Sequence, residues 1–214
     1  MNATIHYIFD PLCGWCYAAS PLLSAVNDRF GDQLEILFHP GLLFAEPRVI
    51  ETSYREHIIS ADKKITQQTG LEFGAAYIEK VRLAPVLSYH STPPAAALMG
   101  VCSINPKLGL AMLEAIQNSH YQKGDDVADS ATLIKLAISL GLNSDEATKA
   151  FESSKQNLAI IAAKARNLMQ QVGGNGFPTL ILEQDGHYQK LNHSIAYGNP
   201  DVFTQDLERL LLSK

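Results

Sequence analysis

Residues 10–21 read DPLCGWCYAASP and hold two of the three cysteines of this 214-residue chain, Cys13 and Cys16. Three positions apart, they become neighbours one turn apart if the segment opens a helix. The flanking sequence predicts that it does. Upstream, TIHYIFD is β-branched and aromatic and stops at Asp10-Pro11, so Ile5 to Phe9 reads as a strand. Downstream, Leu22, Leu23, Val26 and Phe30 recur at helical spacing, Gly31 follows as a stop, and Pro21 is set to kink the helix. QLEILFHP then supplies a second strand, Leu34 to Phe38, closed by Pro40. Strand, helix and strand at this spacing suit a parallel βαβ unit.

Beyond this unit, from about Glu46 to Val172, the pattern is almost entirely helical and is punctuated at Gly70, Pro85, Pro93-Pro94, Asn105-Pro106, Gly124, Gly141 and Gly173-Gly174. DSATLIKLAISLGL carries an Asp129 or Ser130 cap and an apolar stripe of Leu133, Leu136, Ala137 and Leu140; NSDEATKAFESS starts with a cap and an acidic first turn. β character returns at the end. FPTLILEQDGHYQKL reads as strands Thr179 to Leu182 and Tyr188 to Leu191 around an Asp185-Gly186 turn, and Pro200 opens a last helix. The chain therefore divides into 1–38 plus 175–214, which is α/β, and a helical insertion at 39–174.

The composition excludes several functions. A formal net charge of −5 and a sequence without a basic block give no footprint for nucleic acid. No apolar run approaches the roughly 18 to 20 residues of a membrane span. The opening MNATIHYIFDP has no secretory signal and goes straight into a strand, so a cytoplasmic location is expected. Three cysteines do not make a disulfide framework, and in a reducing compartment a close pair points to catalysis or metal binding.

The chemistry of the pair follows from the helix. A sulfur at a helix N-terminus meets unpaired N–H groups and the positive end of the dipole, which favour a thiolate. Cys13 is the expected nucleophile. Cys16, one turn further on, is placed to attack a mixed disulfide formed on Cys13. Gly14 would let a substrate chain approach, and Trp15 offers a flat apolar surface beside the sulfur. Zinc and inert packing are the alternatives: no second Cys-x-x-Cys is present, and His39, His90, His187 and His193 would have to supply ligands from a distance. No metal and no cofactor are expected. GGNGFPTLIL adds a glycine-rich loop and a proline before an apolar strand, where a cis Phe177-Pro178 bond would place the backbone of Phe177 beside the thiols for pairing with an extended substrate. Cys102 reads as a small buried hydrophobe, and His6 and His39 as hydrogen-bonded strand residues. LSYHSTPPAAALM reads as a capped helix start more than as part of the site.

Together, the Cys13-Gly14-Trp15-Cys16 start, the helical insertion, the GFPT loop, the hairpin and the closing helix resemble the DsbA-like branch of the thioredoxin superfamily. Without a leader, the chain is similar to the cytosolic FrnE-like proteins, also described as predicted protein-disulfide isomerases. The resemblance covers the whole chain and implies a thioredoxin-like fold, βαβ then ββα, with an all-helical insertion. It implies Cys13 as attacking cysteine, Cys16 as resolving cysteine, Pro178 as the cis-proline beside them, and Gly14, Trp15, Phe177 and Pro178 as the substrate-binding residues. The implied activity is a thiol–disulfide oxidoreductase or isomerase acting on protein or peptide disulfides, with glutathione or a thioredoxin-like reductant as redox partner. A homodimer is left open. Two other functions share the fold: a glutathione-dependent transferase or isomerase of small organic molecules, and a thiol-independent module that holds unfolded chains on a groove around Trp15 and Phe177. One departure stands out. Thioredoxins and the periplasmic DsbA carry a buried acid six residues before the attacking cysteine, and here that position is Tyr7.

Overall fold

A computed structural model describes residues 3–212. Strand β1 (Ala3–Phe9) leads through a tight loop into α1 (Gly14–Phe30), and β2 (Leu34–Pro40) returns parallel to β1. Gly31 ends α1 at φ 50, a conformation glycine takes without steric cost. The predicted βαβ unit is thus present, with both strands longer by two residues than their apolar cores suggest.

The insertion contains α2 (Thr52–Thr69), α3 (Ala75–Leu83), α4 (Thr92–Ile104), α5 (Gly109–Tyr121), α6 (Ser130–Ser139) and α7 (Ser144–Gln171). It also contains a two-stranded ribbon, β3 (Arg48–Val49) against β4 (Ser88–Tyr89), which the helical sequence pattern does not show. Two residues are too few to carry a period-2 signature. Hairpin β5 (Thr179–Gln184) and β6 (His187–Lys190) follows, with Asp185 and Gly186 both at positive φ, as the tight hairpin turn requires. Helix α8 (Pro200–Leu212) closes the chain.

The main sheet has the order β2-β1-β5-β6, with β5 antiparallel to both β1 and β6. Central β1 is buried along nearly its whole length because both faces are covered. On one face Ile5, Tyr7, Phe9, Leu180 and Leu182 pack in a core shared with Cys16, Leu22, Leu23 and Val26 of α1 and Phe203 and Leu207 of α8. On the other, Ile8 and Ile181 meet Ala165 and Met169 of α7. Helix α7 starts from the Asn143 cap, whose Oδ1 accepts from the Asp145 and Glu146 N–H groups. Its first half packs in the insertion and its second half on the sheet. This holds the insertion across the C-terminal end of β1, where the dithiol lies.

Candidate active site

Cys13 is the N-cap of α1, in extended backbone conformation, and its carbonyl accepts from the Cys16 and Tyr17 N–H groups at 2.9 and 3.0 Å. Its half-buried thiol donates to the Phe177 carbonyl at 3.7 Å. Cys16 is fully buried one turn behind it. Burial, and then the neighbouring Cys13 thiol, push the Cys16 thiol well above the usual range, so it is held protonated. Phe177-Pro178 is cis and opens β5 directly beside this pair. The two sequence segments that carried the redox reading therefore meet.

The loop between β1 and Cys13 is fixed by Asp10. Its fully buried carboxylate accepts from the Leu12 N–H at 2.8 Å, the Leu43 N–H at 2.6 Å and the Ser91 hydroxyl at 3.0 Å. Ser91 begins α4 without capping it, so LSYHSTPPAAALM reaches the site's foundation through this one hydroxyl, beyond the plain capped helix the sequence suggested. Leu42 is held at φ 55, uncommon for a branched-chain residue, between the Asp10 bond to Leu43 and Arg166, which donates to the Gly41 and Leu42 carbonyls at 2.8 Å each. Gly41 has no room for a side chain: a Cβ would stand 2.1 Å from Phe177 Cζ. The phenylalanine that presents its carbonyl to Cys13 is thus positioned by the loop after β2.

Tyr7 fills the place of the usual buried acid. Its hydroxyl donates to the Cys16 carbonyl at 3.0 Å, and burial pushes it well above the phenol range, so it stays neutral. Gly14 faces inward: a Cβ would lie 2.9 Å from Ile65 Cδ1 and 3.2 Å from Asp62 Oδ1 of α2. The space the sequence reading reserved for substrate is occupied by the insertion at that point. Trp15 lies on the open side, its ring 5.3 Å from that of Tyr197. A cleft of about 680 Å³ runs from Trp15 along Phe177 and Pro178 to Asn192, His193 and Tyr197. His193 donates from Nε2 to the Pro178 carbonyl at 3.2 Å, which fixes the far wall. Nothing in the spacing of His193 or Tyr197 marked them, because they sit on a single 3-10 turn, His193–Ala196, and at its end, and reach the site only through the fold.

Other sequence candidates lie elsewhere. His6 and His39 bond each other at 2.9 Å, and His6 bonds Glu183 at 2.7 Å, on the sheet face opposite the thiols. Burial and then His6 lower His39 to about 4. Half-buried Cys102, raised to about 11 by burial, lines a separate groove at the outer edge of β2. Among the described residues no group of three or more His, Cys, Asp or Glu is arranged to hold a metal ion. No helix among them is long and apolar enough to cross a membrane.

Comparisons with known proteins fit this geometry. Residues 4–207 match the model of the family described as DSBA-like thioredoxin domain. The structure of the cytosolic disulfide reductase DsbM from Pseudomonas aeruginosa is 37% identical, with TM-score 0.87 over 97% of this chain and 98% of that one. The same protein with GSH superposes with TM-score 0.86 at 35% identity over the same shares. A candidate protein disulfide isomerase from Nitrosomonas europaea shares the fold, with TM-score 0.82 at 24% identity over 99% of this chain and 98% of that one. Curated protein sequences give no match. A match over nearly the whole chain, joined to a helix-capping Cys-x-x-Cys beside a cis-proline loop, shows that the chain belongs to the DSBA-like thioredoxin domain family.

Proposed function

We propose that this protein reduces disulfides of protein or peptide substrates through Cys13 and Cys16, with glutathione as the reductant that restores the dithiol. The observation that carries the reading is the pairing of a half-buried Cys13 thiol against the Phe177 carbonyl with a buried, protonated Cys16 one turn behind it. Cys13 attacks one substrate sulfur, releases the other as a thiolate and forms a mixed disulfide. Cys16 then loses its proton and attacks the Cys13 sulfur. The second substrate thiol leaves, and the two electrons of the dithiol have passed to the substrate. An extended substrate segment in the cleft pairs with the backbone of Phe177 and rests on Trp15. Pro178 and Gly14 serve this site by holding the Phe177 carbonyl and by seating α2 against the tip of α1.

The direction and the reductant are supported by the 37% identity to a cytosolic disulfide reductase and by the structure of that protein with GSH. A cytoplasmic location agrees with both. The test is reduction of a disulfide-bonded peptide by glutathione, coupled to glutathione reductase, with wild type, Cys13→Ser and Cys16→Ser. Wild type should turn over, Cys13→Ser should be inert, and Cys16→Ser should accumulate a mixed disulfide visible by mass. Equal activity in wild type and Cys13→Ser would overturn the reading.

A further inference from the structure

The main sheet has two free edges, and only one is defended. Strand β6 is four residues long, exposed throughout, and carries Lys190, which discourages pairing with a further strand. Strand β2 is seven residues long and pairs with β1 alone. The Gly41 N–H donates to the Phe9 carbonyl at 2.7 Å. Backbone direction alternates along a strand, so Leu37 and His39 also turn their N–H and C=O groups toward β1. Those of Ile36 and Phe38 point outward, and among the described residues they meet no other strand.

A groove of about 730 Å³ runs along this edge. Six consecutive residues of β2, 34–39, line it, and a strand shows both of its side-chain faces to one cavity only along its edge. Across from them stand Met99 and Cys102, one turn apart on one face of α4. Both flanks are apolar. Phe38 and Cys102 meet at Gly109 on the α5 side, and Leu37 and Ile161 of α7 line the other. We infer that this groove is a slot for β-strand addition, which binds an extended, continuously apolar segment of a protein substrate between β2 and α4. That the segment belongs to a substrate rests on the disulfide-reducing function above.

The occupant follows from what the slot presents. Ile36 and Phe38 offer two N–H and two C=O groups in strand repeat, a pattern that another extended backbone matches. Helix α4 closes the far side, so the slot takes a single strand. A second copy of this chain has none to insert, because its described strands of four or more residues all lie within the four-stranded sheet. Apolar flanks on both sides call for apolar side chains at odd and even positions alike, the pattern of a strand that a folded protein buries and an unfolded one exposes. The slot also leads to the dithiol. Three residues, about 10 Å of strand, separate Phe38 from Gly41, which packs under Phe177. A chain held in the slot is thereby kept beside the cleft, and the substrates favoured are disulfides in unfolded segments.

The test is binding of a fluorescein-labelled, cysteine-free peptide of ten residues, with a Val-Ile-Val-Ile-Val centre flanked by lysines, followed by fluorescence anisotropy. Wild type and Cys13→Ser should bind it equally. The same peptide N-methylated through its centre loses its donors to β2 and should bind about 30-fold more weakly. Leu37→Lys should weaken binding about 10-fold, and Met99→Trp, which fills the slot, should abolish it. Both variants should reduce a short disulfide peptide at the wild-type rate, which shows that they fold. A disulfide peptide with the apolar run about ten residues from its cysteine should have a lower KM than one without it, and Leu37→Lys should erase that difference. Failure of wild type to bind, equal affinity for the plain and N-methylated peptides, wild-type affinity in both variants, or a KM indifferent to the apolar run would overturn the proposal. Peptide binding that follows this pattern in a protein whose reduction does not depend on Cys13 would overturn the dithiol reading instead and leave the slot standing.

Discussion

Asp62→Asn should make the protein more stable at alkaline pH, whatever it does to catalysis. The Asp62 carboxyl is raised from 3.8 to about 7 by burial, so the folded state binds its proton more tightly than the unfolded chain does. Stability from this group is therefore greatest below the unfolded value and falls as pH rises through the folded one. A shift of about three units corresponds to roughly 4 kcal/mol over the full titration, of which about 2.5 kcal/mol falls between about pH 5 and pH 8. Asparagine keeps the shape and can still accept the hydrogen bond that the Tyr77 hydroxyl donates to Asp62, but has no charge to desolvate. Urea unfolding of wild type and variant at several pH values, followed by Trp15 fluorescence, measures the difference. Comparison of the two proteins at each pH cancels the histidines and other carboxylates. The gap between the curves should widen in favour of the variant as pH rises. Parallel curves from about pH 5 to pH 8 would refute the placement of an uncompensated carboxyl beside Gly14.

Other substitutions probe the scaffold beneath the thiols. Asp10→Ala strands the Leu12 and Leu43 N–H groups and the Ser91 hydroxyl, and should cost on the order of 3 kcal/mol in chemical unfolding; a loss below about 1 kcal/mol would show that these bonds do not hold the loop. Gly41→Ala drives a methyl into the Phe177 ring, so the substrate-facing carbonyl must shift. Peptide reduction should lose kcat/KM mainly through a raised KM, and an unchanged KM would remove Phe177 from the substrate surface.

Much of the fold was legible because its punctuation is local. Pro11, Gly31 and Pro40 bound the βαβ unit, and Asp185-Gly186 marks the hairpin, each through backbone requirements that a sequence displays directly. The dithiol was legible for the same reason, since a helix start and a three-residue spacing are both local. Contacts between distant segments were not. Asp62 lies in the long helical stretch without any local mark; its burial depends on the missing side chain at Gly14. LSYHSTPPAAALM reads as a capped helix start because its residues are helical, while the hydroxyl of Ser91 within it turns to Asp10. His193 and Tyr197 line the cleft from a single 3-10 turn and its end, too short to carry a period.

The most direct measurement is the thiol–disulfide equilibrium of the purified protein in glutathione buffers, with free thiols trapped by alkylation and located by mass. Cys13 and Cys16 should pass reversibly between dithiol and a disulfide joining the two, Cys102 should take no part, and Cys13→Ser should abolish the transition. A Cys13–Cys16 pair that stays reduced across the whole range of buffers would contradict the redox site.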